Sequence, residues 1–126
     1  MQRTKFFICR KCGNLVGMVH ASGAPLTCCG QLMEELVPNT TEASTEKHLP
    51  VVTVEGNLVK ATVGSAAHPM TEEHLIQWIY LLTEHGGQRK ALKPGDAPEA
   101  AFALTDDKPL AVLAYCNLHG LWMKEI

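Results

Sequence analysis

The sequence predicts an all-β chain in two parts: a small metal-held N-terminal domain, then a compact antiparallel β-sandwich or barrel. Three observations carry that expectation. Val51 to Val54, Leu58 to Val63, Glu99 to Leu104 and Leu110 to Tyr115 are short β-branched or apolar runs divided by Gly, Pro, Asn and Asp, the rhythm of antiparallel strands and turns. Four of the five cysteines fall within residues 1–36, a piece too short to hold itself together by burial alone. Between these regions lies Pro38-Asn39-Thr40-Thr41-Glu42-Ala43-Ser44-Thr45, polar and rich in turn formers. The expected organisation is therefore a metal domain over 1–36, a linker or loop over 37–47 and a second domain over 48–126.

Taken in order, Lys5 to Ile8 and Leu15 to His20 read as short strands, and the first runs directly into a Cys-x-x-Cys-Gly turn. The run Leu75 to Leu82 is ambiguous: Ile76, Trp78, Tyr80 and Leu82 alternate as in a strand, but the length also suits a helix. Gly86-Gly87 ends it on either reading. The sequence shows no internal repeat.

Composition narrows the function classes. With 46% hydrophobic and 19% charged residues the 126-residue chain is an ordinary folded protein. A net charge of -2 argues against a broad nucleic-acid-binding surface. The apolar run Phe6 to Cys9 is too short and too soon interrupted by charge for a signal peptide. Leu110 to Cys116 is too short to span a bilayer. The expectation is a soluble cytoplasmic protein with no membrane partner. In that compartment thiols stay reduced, so closely spaced cysteines point to metal ahead of disulfides.

Cys9-Arg10-Lys11-Cys12-Gly13 places two thiolates on one tight turn, and Cys28-Cys29-Gly30 supplies a second pair, separated from the first by fifteen residues. Two such pairs suit a tetrahedral structural or electron-transfer site. Because Cys28 and Cys29 are adjacent, their sulfurs must leave one backbone segment in divergent directions. Zinc and iron both accept four thiolates, so a zinc ribbon stays open on these residues alone.

The second constellation is Glu46-Lys47-His48-Leu49-Pro50, then His68-Pro69-Met70 with His74, then Cys116-Asn117-Leu118-His119-Gly120. Pro69 biases His68 toward an extended backbone, and Cys116-x-x-His119 is a short chelating spacing. Five candidate ligands exceed what zinc normally takes and point to a metal accepting five or six. Four neutral imidazoles and one thiolate on ferrous iron leave a positive site with a sixth position open to an anion. The thiolate pushes electron density onto the metal, as in thiolate-ligated haem. Superoxide fits such a site, being small, anionic and one electron and two protons away from hydrogen peroxide.

Together, Cys-x-x-Cys with Cys-Cys, Glu-Lys-His-x-Pro, His-Pro-Met, a nearby His and Cys-Asn-x-His-Gly closely resemble desulfoferrodoxin, the two-iron class of superoxide reductases, nearly end to end. The resemblance implies two irons per chain. Cys9, Cys12, Cys28 and Cys29 would hold a rubredoxin-like iron in a desulforedoxin-like domain. His48, His68, His74 and His119 would be equatorial ligands of the catalytic iron in an immunoglobulin-like sandwich, with Cys116 axial. It further implies that Glu46 closes over the sixth position in the oxidised state, that Lys47 lies near the open site as a positive charge, that the chain forms a homodimer, and that reduced rubredoxin is a typical electron donor.

A different class, a non-enzymatic protein whose two irons only relay electrons, is the alternative reading; a zinc-stapled interaction module is a third. His20 and His85 lie outside the motifs and read as structural or exposed. Trp78, Tyr80 and Tyr115 read as packing residues. Asn117 and the amides of Leu118 and His119 are candidates to donate hydrogen bonds to the Cys116 sulfur.

Overall fold

The computed structural model describes residues 4–126; the first three residues of the expected N-terminal domain lie outside the described residues. The chain divides into two compact units, Met1–Val37 and Pro38–Ile126.

The first unit has a three-stranded antiparallel sheet in the order β2-β1-β5, formed by β1 (Phe6–Ile8), β2 (Leu15–Gly17) and β5 (Glu34–Glu35). A two-stranded hairpin joins β3 (Thr27–Cys28) to β4 (Gln31–Leu32). Its strands run to three residues at most. Among the described residues, its buried apolar side chains are Phe6, Ile8, Cys9 and Leu36. A core of that size cannot offset the ordering of more than thirty residues, so this unit needs another source of stability.

The second unit opens with a single helical turn, α1 (Thr45–His48). The polar segment before it is tied down, because the Asn39 side chain exchanges hydrogen bonds of 2.9 and 3.0 Å with the Met123 backbone. Seven strands follow: β6 (Pro50–Glu55), β7 (Leu58–Val63), β8 (Ile76–Thr83), β9 (Gly86–Ala91), β10 (Glu99–Ala103), β11 (Pro109–Cys116) and β12 (Gly120–Glu125). They form two antiparallel sheets, β10-β7-β6 and β12-β11-β8-β9, an immunoglobulin-like sandwich. The ambiguous run is a strand: β8 pairs with β11 on one side and β9 on the other. Gly86-Gly87 opens the return strand of that hairpin. The sequence reading had no strand at β9, whose Gly-Gly-Gln-Arg-Lys is polar and exposed, or at β12.

Alternation fills the space between the sheets. Val59, Ala61, Val63 and Phe102 from one sheet meet Ile76, Ile79, Leu81, Val112, Ala114 and Cys116 from the other. Fully burying a side chain such as Phe102 contributes about 1.5–3 kcal/mol. Cys116 is the last residue of β11 and a member of this core, so one end of the hydrophobic layer carries a thiol.

Candidate metal centres

The sandwich brings its five predicted ligands to one end. His48 closes α1, His68 and His74 lie in the connection from β7 to β8, Cys116 ends β11, and His119 lies in the turn to β12. The ring centroids trace a closed circuit: His48 to His68 4.6 Å, His68 to His74 4.7 Å, His74 to His119 5.1 Å and His119 to His48 4.8 Å. The His48–His74 diagonal is 6.4 Å. Sides near 4.8 Å with a 6.4 Å diagonal describe a rough square.

The ring nitrogens converge more tightly. His48 Nε2 lies 3.1 Å from His68 Nε2 and 3.1 Å from His119 Nδ1. Adjacent donors about 2.1 Å from one ion would be about 3.0 Å apart. His48 Nδ1 donates to the Ser44 carbonyl at 2.7 Å, and His68 Nδ1 donates to the Pro69 carbonyl at 2.7 Å. Each neutral ring therefore keeps a lone pair on Nε2, and those two lone pairs face each other. His74 Nε2 is buried without a hydrogen-bond partner. Facing lone pairs and an orphaned buried nitrogen are what a cation among them would satisfy.

Burial, followed by the neighbouring positive groups, pushes His48 and His74 below the usual imidazole range and takes His68 down to about 4. The rings thus stay neutral and able to ligate near pH 7. Lys47 is one of those neighbouring charges for both His48 and His74. Cys116 lies 3.9 Å from His119 Nδ1. Burial pushes its thiol up, against hydrogen bonds from the His119 and Leu118 amides, the two amides the sequence had singled out. Asn117 differs from that reading: its side chain bonds the Leu75 amide and the Glu73 carbonyl instead of the sulfur.

Glu46 and Lys47 are exposed on α1. Their turn is docked closely: the Glu46 carbonyl accepts the Ala66 amide at 2.9 Å and the Ser65 hydroxyl at 3.3 Å. Gly64 permits this approach, since a Cβ there would lie 2.5 Å from the Glu46 carbonyl oxygen. Sequence reasoning missed three supports. Trp122 stacks on His48 at 5.0 Å, Ser44 orients the same ring, and Thr71 closes the turn before His74 through its amide and hydroxyl. A hydroxyl three residues before a ligand was the available signal for Thr71; the other two had none.

In the first unit the Sγ atoms of Cys9, Cys12, Cys28 and Cys29 all lie within 4.8 Å of one another. Cys12 to Cys28 is 3.6 Å and Cys28 to Cys29 is 3.9 Å. A tetrahedron of sulfurs about 2.3 Å from a metal has edges of about 3.8 Å. The adjacent pair reaches one point because Cys29 takes a left-handed φ of 54°, with Gly30 at 75°. The Cys12 and Lys11 amides lower Cys9 to about 6, the Cys12 amide more strongly, whereas the crowding of Cys12, Cys28 and Cys9 raises Cys29 to about 12. Four thiols so close cannot all ionise without a cation. Arg10, inside the first knuckle, forms a forked ion pair with Glu34 at 2.9 and 3.2 Å.

Residues 40–125 match the family described as Desulfoferrodoxin, and residues 2–36 match Desulfoferrodoxin, N-terminal domain. The chain belongs to the desulfoferrodoxin family. It is 47% identical to the desulfoferrodoxin of Nitratidesulfovibrio vulgaris over 121 residues, covering 96% of this chain and 95% of that protein. It is 49% identical to a desulfoferrodoxin homolog of Archaeoglobus fulgidus over 114 residues, 90% of each. Among solved structures, the superoxide reductase of Treponema pallidum is 42% identical and superposes with a TM-score of 0.82 over 98% of this chain and all of that one. A one-iron superoxide reductase of Giardia intestinalis, 34% identical, matches with a TM-score of 0.55, covering 64% of this chain and 97% of that one. The four-cysteine and four-histidine-one-cysteine groups match the two iron centres of desulfoferrodoxin. No helix among the described residues is long and apolar enough to cross a membrane.

Proposed function

We propose that this chain is a superoxide reductase, with His48, His68, His74, His119 and Cys116 holding the catalytic iron and Cys9, Cys12, Cys28 and Cys29 holding a second iron. The observation that carries this reading is the square of four imidazoles with a fully buried thiol at the core end. Five donors leave one position for a ligand from outside. Iron bound there supplies a single electron by cycling between its ferrous and ferric states.

The chain's own residues prepare that chemistry. The neutral rings of His48, His68 and His74 would leave the positive charge of a bound ion largely uncancelled, so an anion would be attracted. Lys47 raises the local concentration of superoxide and favours the peroxide charge as it develops. Burial and two backbone amides set the electron-donating strength of the Cys116 sulfur. Glu46 supplies a carboxylate that can occupy the outer position when the substrate is absent. The balance is one superoxide, one electron and two protons giving one hydrogen peroxide, the electron coming from an external donor such as reduced rubredoxin. The protein acts in the cytoplasm as a homodimer.

The test is stoichiometric. Reduced protein mixed with superoxide should yield one peroxide and one oxidised histidine-site iron per superoxide consumed. Half a peroxide with release of dioxygen would mean dismutation, and no reaction would leave the electron-carrier reading.

A further inference from the structure

We infer that Asn117 is a positioning residue that fixes His74 relative to Cys116; the inference rests on reading the histidine cluster as a metal centre. His48 and His68 are each oriented by a ring N–H given to a carbonyl. No hydrogen bond to the His74 ring occurs among the described residues, and its Nε2 is buried without a partner. The placement of this imidazole therefore comes from its main chain.

Two devices act on that main chain. Thr71 closes the local turn, its amide donating to the His74 carbonyl at 2.9 Å and its hydroxyl accepting the His74 amide at 3.1 Å. A turn closed on itself can still pivot as a unit. Asn117 prevents that. Its Oδ1 accepts the Leu75 amide at 3.0 Å, and its Nδ2 donates to the Glu73 carbonyl at 2.9 Å. These bonds straddle His74, one on each chain neighbour, and the Asn117 amide adds a longer bond of 3.3 Å to the Leu75 carbonyl.

The sheet explains why a side chain is needed. Between β11 and β8, Tyr115 pairs with Trp78 but Cys116 pairs with Ile76, so the ladder skips Gln77 at this point. Regular pairing is lost where His74 has to be held, and the Asn117 amide side chain takes its place. Because Asn117 directly follows Cys116, the clamp fixes an imidazole against a thiol contributed from a distant stretch of chain. Asparagine suits the role because it offers one acceptor and one donor on a short stem. Aspartate keeps only the acceptor, and leucine, of similar shape, has neither.

The test uses the full chain loaded with cobalt(II) and challenged with a competing chelator, following the absorption of each centre. Loss of an outer partner typically weakens metal binding about 10–100-fold. N117A and N117L should release cobalt from the histidine site that much more readily, with an altered ligand-field spectrum in what stays bound. N117D should fall between them and wild type, and the cysteine-site spectrum should not change in any variant. Should N117A fail to fold, N117D against wild type carries the same comparison. Wild-type affinity and spectrum in N117A would overturn the clamp. So would weaker binding with an unaltered spectrum and a matching drop in metal-free melting temperature, which would mean general stability. A wild-type chain that takes up cobalt at its cysteines alone would overturn the site reading and the clamp with it.

Discussion

The cysteine centre and the histidine centre differ in what surrounds their ligands. In the first unit the four thiols sit on two turns, Cys12 and Cys29 are exposed, and the strands run two or three residues. In the second, His48, His68 and Cys116 are buried, and the ligands come from a helical turn, a strand connection, a strand end and a turn at one end of a packed core. A metal in the first centre makes the fold; a metal in the second is received by a fold that already exists. Centres of the first kind suit storing or passing an electron. The second can keep a position open, because its ligands are held by packing and hydrogen bonds as well as by the ion.

Removing metal is the largest expected test of that difference. Apparent binding free energies of structural zinc in small finger domains run about 10–16 kcal/mol at neutral pH, a guide to how strongly a metal can drive the folding of such a unit. Chelation should therefore unfold the first unit and leave the sandwich with native-like amide dispersion by NMR, and Cys12→Ser should do the same while keeping near-normal superoxide reduction. Collapse of both units would break the distinction. Cys116→Ser should do the converse, abolishing superoxide reduction in rapid-mixing experiments while the thiolate absorption of the first centre survives.

Smaller effects sharpen the contrast. Lys47→Ile should slow the second-order reaction with superoxide by about tenfold, part of the roughly 10–1,000-fold that steering supplies, and should flatten its decline with salt. Pulse radiolysis across ionic strengths checks both, with little change expected in the iron spectrum. Glu46→Ala should let azide or cyanide bind the oxidised protein more readily, measured by spectral titration, while leaving the reaction with superoxide in place.

The smallest effect concerns pH. In the metal-free sandwich His68 titrates near 4, against 6.5 for an unperturbed imidazole, so between those values the unfolded chain binds more protons than the folded one. Stability is fully present above about pH 6.5 and is lost as pH falls toward about 4. Denaturant melts of the metal-free chain across that range should show the decline, and bound metal should reduce it.

The ligands were legible in the sequence because metal chemistry constrains residue type and spacing together, and the two cysteine pairs and the Cys116-x-x-His119 step carry that constraint unaided. The core strands were legible where alternation is strong, as in Leu58–Val63, which matched residue for residue. β9 was not, because an exposed edge strand carries no apolar signal. The α1 turn escaped because four residues hold too little pattern. Among the supports, Asn117 was visible as a residue but its partners were not. Its bonds run to Glu73 and Leu75, a pairing created by the bulge between β8 and β11.

The central claim is that one centre is closed and the other open, and anion binding to the fully reduced two-iron protein tests it most directly. Titration with azide or cyanide should perturb the iron held by the histidines and Cys116 and leave the four-cysteine iron unchanged. A response at neither iron, or a response at the cysteine centre, would contradict the account.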